Sequence, residues 1–120
     1  MNREKILIVD DADNNLLLLH DLLSELNYDV HIANNHNEAL KIIDEQKPDL
    51  ALLDIMMPEV DGFDLFERIK KINPDIKAIF ITAKSSEEDR KRAFSMGALD
   101  FIVKPVNIMN VIDSVEKALN

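Results

Sequence analysis

The sequence predicts a doubly wound α/β domain, (βα)5, with five parallel strands in one sheet, spanning residues 1–120 as a single unit. Three observations predict it. Five short apolar runs rich in β-branched residues or leucine recur along the chain: Ile6–Val9, Val30–Ala33, Leu50–Leu53, Ala78–Ile81 and Phe101–Val103. The first, third and fourth are apolar throughout, as strands covered on both faces of a parallel sheet should be. Each interval between runs is long enough for a helix, the crossover that a parallel connection requires.

In chain order, Ile6-Leu7-Ile8-Val9 is the first strand and runs into Asp10-Asp11. Leu16, Leu19, Leu22, Leu23 and Leu26 then fall within one third of a helix circumference at about 100° per residue. Val30-His31-Ile32-Ala33 is the second strand, and the interval after it is assigned a helix on crossover length. Leu50-Ala51-Leu52-Leu53 ends in Asp54, and Phe63, Leu65, Phe66, Ile69 and Ile72 form the stripe of the third helix. Ala78-Ile79-Phe80-Ile81 ends in Thr82-Ala83. The fourth helix is announced by Ser85 and Ser86 at the N-cap, by Glu87-Glu88-Asp89 in the first turn, and by Gly97 after Met96 at its end. Its apolar residues, Ala93, Phe94 and Met96, are scattered around the circumference. Phe101-Ile102-Val103 leads into Lys104-Pro105, and Ile108, Val111, Ile112, Val115, Ala118 and Leu119 give the last helix a clean apolar stripe. Pro48, Pro58, Pro74 and Pro105 all stand at element boundaries.

Composition narrows the chemistry. The chain of 120 residues is 47% hydrophobic and 31% charged, an ordinary globular balance. Its 14 basic and 23 acidic residues give a net charge of −9, the wrong sign for a surface that neutralises phosphates, so no direct nucleic-acid partner is expected. The absence of cysteine removes disulfides, thiolate zinc sites and cysteine nucleophiles. The opening apolar run is too short for a signal peptide and no 18-residue apolar stretch exists, so a cytoplasmic domain without a membrane partner is expected.

In an open α/β sheet, ligands bind outside the carboxyl ends of the strands. Those ends carry Asp10-Asp11, Asp54, Thr82-Ala83 and Lys104-Pro105: three carboxylates, a hydroxyl and an ammonium at one edge. At ~4 Å and an effective dielectric near 20, each carboxylate pair repels by about 4 kcal/mol. A hard divalent cation relieves that repulsion, and Mg²⁺ is typically held by one or two carboxylates plus a substrate phosphate. Thr82 and Lys104 offer a phosphate a donor and a point charge. Singly, such an Asp is usually a turn residue, such a Thr a strand former and such a Lys a solvated charge. These bland readings must all hold at once to dismiss the site.

Here the sequence closely resembles the receiver domain of two-component response regulators over essentially its whole length. The residues carrying the resemblance are Ile6-Leu7-Ile8-Val9-Asp10-Asp11, Leu52-Leu53-Asp54-Ile55-Met56-Met57-Pro58, Asp61-Gly62, Ile81-Thr82-Ala83, Gly97-Ala98 and Lys104-Pro105. The resemblance implies a flavodoxin-like sheet of strand order 2-1-3-4-5. It implies an Mg²⁺-dependent phosphoacceptor (Mn²⁺ serving as well), with Asp54 the nucleophile toward a phosphohistidine on a histidine kinase or histidine phosphotransfer protein. Asp11, Asp54 and the Met56 carbonyl would bind the metal directly, with Asp10 acting from outside or through water. Thr82, Lys104 and N–H groups around Met56 and Ala83 would hold phosphoryl oxygens. The Lys104–Pro105 bond would be cis, and Gly62 would let the loop after Asp54 turn tightly. Thr82 and Phe101 would be the switch pair that passes the signal to a downstream protein or output domain. Asn14, Asn15 and Leu18, on the helix beside Asp11, would contact the phosphodonor.

Two positions bear on the lifetime of the acyl phosphate. Met56 and Lys84 flank the route of an attacking water, and neither carries a carboxylate or amide to orient it, so slow self-dephosphorylation is expected. Three rival readings fit the residues less well. A haloacid-dehalogenase-type phosphatase needs a second acid where Met56 stands. A flavin binder needs a hydroxyl- and Gly-rich loop where Asp10-Asp11 stands. A pseudo-receiver, binding partners without phosphorylation, typically lacks one of the acids, the Thr or the Lys that are all present here. His20, His31 and His36 lie on separate elements, away from the strand ends, and read as surface or packing residues.

Overall fold

The computed structural model describes residues 3–84 and 86–120, with the side chains of 13–15 excepted. Strands and helices alternate strictly: β1 (Lys5–Val9), α1 (Asp13–Glu25), β2 (Asp29–Ala33), α2 (His36–Gln46), β3 (Leu50–Leu53), α3 (Gly62–Ile72), β4 (Lys77–Thr82), α4 (Glu87–Ser95), β5 (Asp100–Val103) and α5 (Ile108–Leu119). All five strands form one parallel sheet in the order β2-β1-β3-β4-β5. The reversal of order between β1 and β3 is the switch point at which such sheets open a crevice.

Period-two alternation splits the core. Ile6, Ile8, Leu50, Leu52, Ile79 and Ile81 face one side, where Leu16, Leu19 and Leu23 of α1 and Val111, Val115 and Ala118 of α5 cover them. Leu7, Val9, Ala51, Leu53, Ala78 and Phe80 face the other, beneath Ala39 and Ile43 of α2 and Phe63, Phe66 and Ile69 of α3. The central runs are therefore apolar at every position because both neighbours of each strand face are dry. β2 is only partly buried, as befits an edge strand.

The helical stripes overreach at their ends. Leu22 is half-buried, while Leu26, just past α1, and Ile72 and Ile108, at the ends of α3 and α5, are exposed. The apolar period continues there beyond the sheet it was meant to cover. α1 closes with Asn27 at positive φ (71°), and α2 with Lys47 at 49°. At α4 the cap is Ser86, whose hydroxyl accepts from Asp89 N; Ser85 lies outside the described residues. Gly97 takes up φ 100° after the helix, the left-handed turn expected at that place.

Candidate functional site

The ladder continues one residue past β1 and β3. Asp10 N donates to Ala33 O at 3.2 Å and Asp54 N to Val9 O at 3.0 Å, so both aspartates are set by backbone pairing at the carboxyl edge. Both are buried, Asp10 at 4% and Asp54 at 5% exposure. Each carboxylate is turned by its own loop: Asp10 Oδ1 accepts from Ala12 N at 2.9 Å and Asp54 Oδ1 from Met56 N at 3.1 Å. Their second oxygens share one cation. Lys104 Nζ lies 2.7 Å from Asp10 Oδ2 and 3.0 Å from Asp54 Oδ2. Lys104 is delivered there by a backbone bond from its N to Thr82 O at 2.8 Å, and its peptide bond to Pro105 is cis.

Gly62 closes the wall behind Asp54. A Cβ at this position would sit 2.2 Å from Asp54 O and 2.8 Å from Ile55 Cα, a backbone overlap that no rotamer relieves. Gly62 N also donates to Ile55 O at 2.9 Å. The loop after the aspartate can turn back this tightly only without a side chain.

Carboxylate oxygens of Asp10, Asp11 and Asp54 all lie within 4.8 Å of one another, with Asp11 exposed. Three carboxylates and one ammonium leave a formal charge of −2 (−3 + 1). Burial pulls the Lys104 pKa down, but its hydrogen bonds and proximity to Asp10 and Asp54 outweigh this and hold it above 10.5. The ammonium is thus charged at neutral pH and offsets only part of the repulsion. An all-oxygen donor set of this charge, with one carboxylate open to solvent, fits a hard divalent cation such as Mg²⁺. The histidines take no part in this cluster.

The remaining expected residues fall as follows. Thr82 is fully buried, and its hydroxyl accepts from Lys84 N at 3.2 Å. Ala83 and Met56 are exposed at the mouth, and Phe101 is buried on β5. Leu18 is exposed on α1 beside the equally exposed Leu17, at 52% and 55%. The Asn14 and Asn15 side chains lie outside what is described. The Lys84 ammonium is 3.5 Å from Asp89 Oδ2 on α4. Lys84 lines the same surface depression as Asp11 and Met56.

Two features escaped the sequence reading. The bridging of Asp10 and Asp54 by Lys104 had no sequence signal, because 94 and 50 residues separate the partners. Asp61 caps α3, accepting from Asp64 N at 2.9 Å, and an Asp just ahead of an apolar stripe was a usable signal for it.

The family described as "Response regulator receiver domain" matches residues 6–116. Transcriptional regulatory protein ZraR of Escherichia coli K12 is 40% identical over 95% of this chain, which spans only 26% of that protein's length. Sporulation initiation phosphotransferase F of Bacillus subtilis is 36% identical over 99% of this chain and 96% of its own length. A crystal structure of a CheY-like receiver domain protein from Methanospirillum hungatei superposes with a TM-score of 0.92 at 33% identity, covering 98% of this chain and 94% of that one.

Proposed function

This chain belongs to the response regulator receiver domain family, and from that premise we propose that it is a phosphorylation-dependent switch with Asp54 as phosphoacceptor. The observation carrying the reading is the setting of Asp54. It is buried, its two oxygens are held by Met56 N at 3.1 Å and Lys104 Nζ at 3.0 Å, and Asp10 and Asp11 crowd it within 4.8 Å. A carboxylate so placed is oriented and short of positive charge.

In the proposed step an Asp54 oxygen bonds to the phosphorus of a phosphohistidine on a kinase or phosphotransfer protein. The P–N bond breaks, its electron pair returns to the imidazole nitrogen, and that nitrogen takes up a proton. Catalysis is positioning and charge neutralisation. When bound, Mg²⁺ held by Asp11, Asp54 and the Met56 carbonyl, with Asp10 acting from outside or through water, would supply charge neutralisation at the phosphoryl oxygens. Lys104 passes from the carboxylate to a phosphoryl oxygen, joined by the Thr82 hydroxyl and the N–H groups of Met56 and Ala83. Thr82, completely enclosed at the end of β4, leaves a space when it moves, and Phe101 on β5 turns into it. The surface of α4, β5 and α5 thereby changes for a downstream partner. Leu18, with Asn14 and Asn15, contacts the phosphodonor. With Met56 and Lys84 at the mouth, hydrolysis is slow.

The test is intact-protein mass after incubation with Mg²⁺ and acetyl phosphate. One labile phosphoryl group is expected on the wild type, and none on Asp54→Asn or in the presence of a metal chelator. A folded wild type that gains no mass would overturn the reading and leave a binding module that acts without phosphorylation.

A further inference from the structure

Arg92 lies on α4, but the surface its guanidinium covers belongs to α3. The guanidinium stands 4.3 Å from the Phe63 ring centre, inside the ~6 Å over which an aromatic face holds a cation. Among the described residues it enters no ion pair, so the ring is the partner of its charge. Phe63 is 1% exposed and cannot follow a moving helix. It packs on Phe80 of β4 at 5.2 Å between ring centres, and Phe80 sits beside Leu53 in the ladder, one residue before Asp54. Phe63 also follows Gly62, whose backbone is pressed against the Asp54 carbonyl and tied to Ile55 O. Phe63 is therefore part of the wall behind Asp54, and Arg92 joins α4 to that wall. The helix has little else to hold its middle, because it buries only Ala93.

We propose that the contact of Arg92 with Phe63 is a latch on the unphosphorylated arrangement, which makes Arg92 a positioning residue that sets how readily Asp54 takes a phosphoryl group. The inference rests on the reading of Asp54 as phosphoacceptor and of α4 as an element that shifts with it. The ring is fixed and the guanidinium is not. A shift of α4 by more than about 2 Å carries the cation beyond the reach of the ring. The contact is then made in one arrangement and lost in the other, and such a difference is what biases a two-state element. By linkage, a contact that holds α4 in its unphosphorylated place weakens the binding of a phosphoryl-like anion at Asp54. Lifting it raises the apparent affinity, because a larger fraction of molecules is ready to bind.

The experiment measures the affinity of the whole chain for beryllium trifluoride in Mg²⁺ by isothermal titration; this anion takes the phosphoryl position on a carboxylate oxygen. Arg92 is exposed, so replacing it opens no core, and glutamine keeps its helix propensity without its charge. Arg92→Gln should bind about 2–5 times more tightly than the wild type, the span of an exposed cation–π contact. Arg92→Lys keeps a cation but loses the planar stacking group, and should fall between the two. Arg90→Gln is the control. Arg90 lies 5.4 Å from the ring centre of Phe94 on its own helix, so its loss removes the same charge but no link to α3. Loss of a positive charge by itself disfavours an anion, so this variant should bind no more tightly than the wild type. In a Phe63→Leu background, Arg92→Gln should change nothing further. A merely structural contact would loosen α4, seen as faster amide exchange over residues 87–95, with no gain in affinity. That result, or an equal gain in Arg90→Gln, overturns the proposal. No binding of beryllium trifluoride to any of these proteins would instead overturn the phosphoacceptor reading itself.

Discussion

α4 and α5 both pack against β5, yet they are attached by different forces. α5 buries Val111, Val115 and Ala118 in the same cluster as Ile6, Ile79 and Ile81. α4 buries only Ala93. What holds α4 is a set of polar points. Lys70 Nζ donates to Met96 O at its C-terminal end at 2.8 Å, the Arg92 guanidinium lies 4.3 Å from the Phe63 ring centre, and Lys84 meets Asp89 at its start. Attachment by buried area is indifferent to a new charge nearby. Attachment by ions is not, because any competing ion of the same sign can take a partner's place. On the proposed reading, a charge added at Asp54 would act on the anchoring of α4 more than on that of α5.

The largest test of the contrast is truncation of one apolar residue on each helix. Val115→Ala removes two buried methyl groups and should cost about 2 kcal/mol of unfolding free energy, read from a urea midpoint. Phe94→Ala, on the exposed side of α4, should stay within about 0.5 kcal/mol despite the larger side chain. Equal losses from the two would mean α4 is anchored by area after all.

A smaller effect tests the polar points directly. Lys70→Met keeps an apolar stem near Phe66 but removes the donor to Met96 O, and should cost about 1 kcal/mol. The loss should appear as faster amide exchange over residues 93–99, with α5 unchanged. Raising the salt from about 0.05 to about 0.5 M, which shortens the screening length several-fold, should loosen α4 in the wild type and leave α5 alone. Exchange that quickens equally in both helices would erase the distinction.

Much of this was legible before any coordinates. The strands announce themselves because a run with dry neighbours on both faces must be apolar at every position, and the acids, Thr82 and Lys104 stand at fixed offsets from the ends of those runs. The weak docking of α4 is visible in the scatter of Ala93, Phe94 and Met96. What stayed hidden is pairing across long separations. Lys104 could be assigned to a phosphate from its place at a strand end, but nothing in the sequence says that it first neutralises Asp10 and Asp54. Lys84 lies only five residues from Asp89, yet Ser86 had to cap α4 in one particular geometry before the two could meet. The exposed Leu26 and Ile72 show the opposite failure, where a helical period is real but the surface beneath it has ended.

The smallest effect lies on the α5 side of the sheet and reads its dryness. Tyr28 is the only tyrosine and there is no tryptophan, so phenolate absorbance reports a single group. It packs against the α1–α5 cluster. Burial first, then the charges of Glu116 and Glu4, raise its pKa above 10.0. An acid whose pKa is raised by folding contributes stability that is complete below the unfolded value. That stability is lost as pH climbs through the folded one, because the unfolded phenol ionises first. The folded protein should therefore titrate with a midpoint above 10.0, and its stability should fall over the interval between the two values. Glu116→Gln should bring the midpoint back toward 10.0 without abolishing the shift. Because burial is the leading cause, most of the shift should survive in about 0.5 M salt, conditions under which charge–charge terms are screened. A midpoint that collapsed to the free value in salt would show that this side, like α4, is held by charges. The division between an area-anchored and an ion-anchored half would then be wrong.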